Sequence, residues 1–381
     1  SITDSGYDLL DSSYHFVDRY TAGNGYATDL HDFQLLPNGD ALLMIYDAQS
    51  IDMSKLVAGG KPNAVVTGLV IQEMDRSKNV IFEWRSWDHF RLKDTPGDLT
   101  SDKIDAVHGN SLALTQDGNL LLSSRNLSEV TKISLKNGAI LWRLGGKQST
   151  FKFVNDPQPF GYQHDARELP NGNIMVFDNH GNADVSADAP SRAVEYQLDM
   201  TQKTATKVWE FAHNPPIFGT YMGNTQRLAN GNTLIDWGAP STDQGYQYTN
   251  ITEVSPDGKV VFELAFDQAY VSYRAFRFPW HGQPTTLPDL AFRQDGSILT
   301  LGYSWNGATD VASYNLYGGN APASLAVLDR KAKAGFETQS HLTNLPKGTC
   351  YFQAAALDRT GKELARSKII STDQALCPAV Q

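Results

Sequence analysis

Cysteine is almost missing from this 381-residue chain: Cys350 and Cys377 are the two, close together near the C-terminus. In an oxidising compartment they close one loop; in a reducing one they stay free thiols. No apolar run approaches the roughly 18 residues of a spanning helix, which sets aside a transmembrane helix and a membrane partner. Basic charge is in deficit, 32 Lys and Arg against 42 Asp and Glu for a net charge of −10, and there is no basic stretch. Phosphate binding needs clustered Lys and Arg, so a nucleic-acid partner is excluded. An initiating Met and a charged-then-apolar leader are also missing, so the expectation is a mature, secreted protein. The sequons Asn126-Leu127-Ser128 and Asn250-Ile251-Thr252 point the same way as candidate glycan acceptors. In that setting Cys350 and Cys377 are expected to pair.

What is present is a globular composition: 41% hydrophobic and 19% charged residues, with 17 Phe, 16 Tyr and 7 Trp. That is enough for one large or two ordinary domains. Five segments repeat one pattern, a strand, a turn ending in Asn-Gly or Asp-Gly, and a second strand. They are HDFQLLPNGDALLMIYD at 31, NSLALTQDGNLLLSSRN at 110, HDARELPNGNIMVFDN at 164, GNTQRLANGNTLIDWG at 223 and PDLAFRQDGSILTLGYS at 288. The turn chemistry reads as a type I′ hairpin. Four segments of a second kind follow, at 70–84, 130–144, 193–211 and 251–266, and a fifth stands at 7–20. Repeated four-stranded units completed by the first residues of the chain are how a propeller closes its ring. The expected fold is all-β: a β-propeller of five to six four-stranded blades over 1–304, its ring closed by the N-terminal strands. A small C-terminal fibronectin-III-like β-sandwich is expected over 305–381.

The first strand of each blade lines the channel, where ligands bind. With the turn Gly as ruler, the residue eight positions earlier is His31, Asn110, His164, Gly223 or Pro288; two positions before that stand Asp29, His108, Tyr162, Tyr221 and Thr286. A two-residue turn pairs positions of constant sum, which sets His31 opposite Tyr46, Asn110 opposite Arg125 and His164 opposite Asn179. Asp32 and Asp165 follow channel histidines directly, so they point into the blade and are expected to orient a backbone or an imidazole. Long connections at 87–107, 145–163 and 267–286 reach the same rim, carrying Tyr162, Arg274 and Arg277. Imidazoles, carboxamides and guanidinium groups at one level suit an anion whose charge moves during reaction, and aromatics with Arg suit a planar organic group.

The segments HGNSLALTQDGNLLLSSRN, YQHDARELPNGN, FDNHGN, GNTQRLANGNTLIDWG and SYRAFRFPW resemble the arylsulfotransferase family, in its secreted fungal and actinobacterial branch, over about 29–315. The resemblance implies a propeller that moves a sulfuryl group from a phenolic sulfate ester to a phenol. It needs no cofactor and works through a sulfohistidine. His164 would be the nucleophile, His108, Asn110 and Arg125 would hold sulfuryl oxygens, and His31 would serve as a donor or acid/base group. Asn179, Tyr46, Tyr162, Tyr221, Thr225, Arg274 and Arg277 are the candidate substrate-binding residues. A Lys expected beside Thr225 is absent, and the C-terminal module replaces an N-terminal one. A monomer acting on a small aromatic or anionic substrate is expected. Two other readings compete: a uronate-polysaccharide lyase using channel His, Tyr and Arg, and a non-catalytic anion-binding propeller. No metal is expected, because no H-E-x-x-H spacing occurs and the run Asp178–Asp184 lacks the closing Glu of a calcium loop.

Overall fold

The computed structural model describes residues 5–11, 15–180, 189–240, 248–267 and 270–373. Cys377 lies outside them, as do residues 181–184 of the Asp-rich run. The chain divides into two compact units, 1–277 and 278–381.

In the first unit β1 (Tyr7–Leu10) and β2 (Phe16–Tyr20) pair only with each other. The first large sheet holds β3 (Phe33–Leu35), β4 (Ala41–Ile51), β5 (Ala64–Met74), β6 (Val80–Arg85) and β7 (Lys103–Asp105). The second runs β8 (Gly109–Leu114), β9 (Leu120–Ser124), β10 (Glu129–Ile133) and β11 (Ile140–Gly145). The third comprises β12 (Lys152–Val154), β13 (His164–Glu168), β14 (Ile174–Asp178), β15 (Arg192–Asp199) and β16 (Thr204–Ala212). The fourth is β17 (Asn224–Arg227), β18 (Thr233–Asp236), β19 (Ile251–Val254) and β20 (Val260–Leu264).

A separate apolar core fills each gap between successive sheets. Leu42, Met44 and Val66 meet Leu112, Leu120 and Leu122; Leu121, Val130 and Leu144 meet Ile174, Val176 and Val194; Phe177 and Ala193 meet Ile235 and Trp237. Middle strands are therefore buried on both faces: every residue of β9, β10 and β14 is buried. β9 and β14 accordingly carry apolar runs, whereas β10 buries Glu129, Thr131 and Lys132 between its apolar residues.

One repeated side-chain bond ties first strand to first strand. Asp32 Oδ2 accepts Leu112 N–H at 2.8 Å, Ser111 Oγ accepts Ala166 N–H at 3.1 Å, and Asp165 Oδ2 accepts Thr225 N–H at 3.4 Å. Asn224 continues the series by bonding both backbone groups of Ala275, at 2.9 and 2.8 Å. Asp32 and Asp165 thus orient backbone, in keeping with their direction into the sheet.

Hairpin register differs from the two-residue-turn expectation by one position. Gly118 N–H bonds Thr115 O at 2.9 Å and Thr115 N–H bonds Asn119 O at 2.8 Å. Positive φ occurs at Gly118 but not at Asp117. This is a type I turn closed by a left-handed Gly, a three-residue loop. Phe33 therefore faces Leu43, Ser111 faces Ser123 and Arg167 faces Met175. Bulges between Gly109 and Ser111 and between His164 and Arg167 shift the pairing again beyond those points.

The second unit contains β21 (Asp289–Asp295), β22 (Ile298–Ser304), β23 (Ser313–Gly319), β24 (Ala326–Ala332), β25 (Thr338–Leu342), β26 (Tyr351–Leu357), β27 (Glu363–Arg366) and β28 (Ile370–Ser371). One sheet has the order β21-β22-β25; the other has β24-β23-β26-β27, with β28 on β26. They share a core of Leu299, Leu301, Tyr303, Trp305, Tyr314, Leu316 and Phe352.

Two expectations change. The fifth hairpin, at 288, belongs to the second unit, because β22 pairs with β25; the boundary falls at 277/278 instead of 304/305. Closure of a ring by the N-terminal strands is not found among the described residues, since β1 and β2 pair as strands only with each other. The chain is all-β, with one helical turn at Ser86–His89 and two 3-10 turns among the described residues.

Candidate functional site

The side chains converge where the first strands of the first unit begin. His31 is held by Asp29, whose Oδ1 takes the ring Nδ1–H at 2.7 Å and the backbone N–H at 2.9 Å. His108 Nδ1 lies 2.5 Å from Asp105 Oδ2. The two imidazoles meet edge to face, centroids 5.0 Å apart at 78°. Tyr46 stacks on His31 at 5.1 Å and 15°, and Tyr273 stands edge-on to it at 5.9 Å. Their hydroxyls donate to Gly109 O and Asn110 O, at 2.9 and 3.3 Å. Burial raises the pKa of both phenols, so each remains a neutral donor. About a quarter of each imidazole side chain is exposed.

Arg125 is placed by the bulge opposite His108, whose carbonyl accepts its backbone N–H at 2.9 Å. Its guanidinium lies 5.1 Å over the Tyr162 ring, with Nη1 on Asn126 Oδ1 at 3.0 Å and Nε buried without a partner. Burial lowers its pKa, yet a guanidinium stays charged at any working pH. It is the cation that the strand pairing sets opposite His108.

His164 is bonded differently. Met222 N–H points at Nε2, 3.2 Å away; an amide N–H only donates, so Nε2 carries the lone pair and Nδ1 the proton. Nδ1–H donates to Asn179 Oδ1 at 2.7 Å, and Asn179 Nδ2 donates to Gly219 O and Met222 O at 2.7 and 3.0 Å. Both ring nitrogens are thus engaged on a side chain 4% exposed. Burial, then the nearby Arg125 and His108, brings its pKa down to about 3, so the ring is neutral. Together His164 and Asn179 clasp the backbone of Met222, next to Tyr221.

Other expected site residues serve elsewhere. Asn110 is fully buried, its Nδ2 on Gln163 O at 2.8 Å, because it is the bulged residue that the register arithmetic missed. Thr225 is 2% exposed. Arg274 spends its fork on Asp32 Oδ1 at 2.8 Å and Asn110 O at 2.5 Å, with Asp165 at 3.9 Å. Arg277 pairs with Glu253 beside an apolar cleft of about 690 Å³ lined by Leu234, Ile251, Phe262 and Phe276. That cleft shares no residue with the histidine cluster. Asn250 is 1% exposed on the edge of β19, so the fold leaves no surface there for a glycan; Asn126 Nδ2 is bonded to Asp105 O at 2.7 Å.

Asp105 and the Met222 backbone were not foreseen. The signal for the first was in the sequence: an Asp stands two or three residues before each of these two histidines, Asp29 before His31 and Asp105 before His108.

The family model described as Arylsulfotransferase (ASST) matches residues 7–269. No curated protein matches the chain. Among solved structures, a protein of unknown function from Bacteroides caccae aligns at 17% identity over 68% of this chain and 75% of that one, with a TM-score of 0.41. A catalytically inactive virginiamycin B lyase from Staphylococcus aureus, solved with quinupristin, aligns at 12% identity over 79% and 74%, with a TM-score of 0.35.

Proposed function

Since the chain belongs to the arylsulfotransferase family, we propose that it moves a sulfuryl group from a phenolic sulfate ester to a phenol by way of a sulfohistidine. The observation that carries this reading is the pair of carboxylate-backed imidazoles, His31 on Asp29 and His108 on Asp105, beside the Arg125 cation. A sulfuryl group in transit spreads negative charge over three oxygens, much as a phosphoryl group does, so fixed donors and positioning supply most of the acceleration. Arg125 is the fixed donor, and the Tyr46, Tyr162 and Tyr273 rings offer faces for the aryl group. Splitting transfer into two steps on one imidazole lets donor and acceptor use the same place in turn. In this reading the four sheets are propeller blades, the second unit is a fibronectin-III-like module, and the protein is secreted.

The test is acceptor-dependent release of 4-nitrophenol from 4-nitrophenyl sulfate. Release that rises with added phenol and yields phenyl sulfate is expected. A protein inert to a panel of aryl sulfates, yet producing unsaturated uronates from polyuronate, would replace this reading by the lyase one.

A further inference from the structure

Asn126-Leu127-Ser128 reads in the sequence as a glycan acceptor, yet the fold turns both of its polar side chains to the site. The tripeptide lies in the turn between β9 and β10. Ser128, with a φ of 50°, donates its backbone N–H to Arg125 O at 2.9 Å, and Asn126 N–H reaches Val107 O at 3.1 Å. Between them Leu127 is 3% exposed and packs into the core shared by the first and second sheets, which anchors the turn. Asn126 Oδ1 accepts a hydrogen bond from Arg125 Nη1 at 3.0 Å, while Asn126 Nδ2 donates to Asp105 O at 2.7 Å. Ser128 Oγ accepts the backbone N–H of Tyr162 at 3.1 Å, and the Tyr162 ring lies 5.1 Å under the Arg125 guanidinium. One carboxamide thus joins the cation to the residue whose carboxylate holds His108. One hydroxyl fixes the aromatic face on which the cation rests.

We propose that Asn126 and Ser128 are positioning residues that hold Arg125 ready for the oxygens of an aryl sulfate, so that this tripeptide serves the site and carries no glycan. This rests on the sulfuryl-transfer reading above. A free arginine side chain samples many rotamers, and a donor accelerates a reaction only when it is already aimed where charge develops. Asn126 needs both ends of its carboxamide for this, Oδ1 to orient the guanidinium and Nδ2 to fasten itself to Asp105 O. Asn126→Asp keeps an acceptor for Nη1, but it loses the donor and sets a negative charge against the cation. It therefore works against an anionic ligand twice. Ser128 acts one step further off, through Tyr162. A sugar on Nδ2 would stand between Asn126 and Asp105 O, where the fold places a direct hydrogen bond.

The experiment titrates the full chain with 4-nitrobenzenesulfonate, an aryl anion that has three oxygens on sulfur and no ester bond to break. Binding is read by NMR into the millimolar range, and turnover of 4-nitrophenyl sulfate is read beside it. Asn126→Ala should weaken sulfonate binding roughly 10- to 100-fold, as for a lost hydrogen bond to a charged group, and Asn126→Asp should weaken it further. Ser128→Ala should weaken it roughly 2- to 10-fold. Binding of the neutral 4-nitrobenzenesulfonamide should change by less than about twofold in each variant; a merely structural role would weaken both ligands alike. In an Arg125→Ala background Asn126→Ala should alter sulfonate binding by less than about twofold, because its effect runs through the guanidinium. Equal losses in the two backgrounds overturn the proposal, and so does a wild-type chain that does not bind the sulfonate. If Asn126→Ala does not fold, Ser128→Ala in the same two backgrounds decides by the same criterion. Coupled losses in a chain that turns over no aryl sulfate uphold the positioning role and sink the sulfuryl-transfer reading alone. Undiminished binding and turnover in Asn126→Ala do the reverse. Peptide mapping of the chain secreted from a glycosylating host should find Asn126 bare, and full glycan occupancy there on an active chain also overturns the proposal.

Discussion

His164 also titrates in a way that reports its burial. Held neutral with a pKa of about 3, against about 6.5 in an unfolded chain, it binds no proton in the fold where the unfolded chain does. Its contribution to stability is therefore complete above about pH 6.5 and is lost as pH falls toward 3. Wild type should lose about 3 kcal/mol through this group between pH 7 and pH 4.5, and His164→Gln should flatten that limb when urea midpoints are compared at the two pH values. Asp236 has the opposite sign. Burial, against a hydrogen bond from Ser272, raises its carboxyl to about 6, so its contribution is present below about pH 4 and lost as pH rises through 6. Asp236→Asn should gain up to about 3 kcal/mol at pH 7 and nothing near pH 4, read from the same midpoints. The backbone around the site is itself unusual: His108, Tyr162, Asp165 and Met222 all have positive φ, between 51° and 66°. Non-glycine residues enter that region rarely, and such residues concentrate at functional sites.

At the scale of elements, first strands are joined through buried side chains, and Arg274 closes that system. Its guanidinium answers Asp32 and lies near Asp165, both buried carboxylates that already accept backbone N–H bonds from the next sheet. Removing it leaves those carboxylates to Arg167, which bonds Asp165 at 2.8 Å and lies 3.6 Å from Asp32. Arg274→Met should cost about 1.5–3 kcal/mol, and Arg274→Lys should recover little, because a point charge cannot serve Asp32 and Asn110 O together; thermal melts of the two variants check this. Loss of turnover with stability intact would instead make Arg274 a substrate ligand. The repeating Asn-Gly and Asp-Gly signal made the first hairpin of each large sheet of the first unit legible, and the ruler drawn from it brought Asp29, His31, His108, Tyr162 and His164 into one region. It could not supply the register. Asn-Gly serves a type I′ turn and equally a type I turn with a left-handed Gly, which differ by one residue, and the bulge at Asn110 leaves no mark in composition. His108 therefore stands opposite Arg125 where Asn110 was expected.

At the scale of the molecule, the apolar clusters of one unit share no residue with those of the other among the described residues. The site side chains all lie in 1–277, whereas Tyr303, Tyr314, Leu316 and Phe352 fill the core of the second unit. The sequence hid this division for a physical reason. PDLAFRQDGSILT carries the same local turn chemistry as the four hairpins before it, and local chemistry does not say which distant strand a hairpin will meet. Here β22 finds β25, with Leu299 opposite Leu342 and Tyr303 opposite Thr338, and that pairing takes the hairpin into the second unit. Phe352, fully buried between β23 and its neighbours, separates the two units experimentally. Phe352→Ala should cost the second unit about 3–5 kcal/mol. In calorimetry one transition should move down while the other keeps its midpoint, and turnover of 4-nitrophenyl sulfate at 25 °C should persist, because no group that touches the ester has moved. A single transition shifting as a whole would mean that the two cores unfold together, and a loss of turnover with it would give the second unit a part in holding the site.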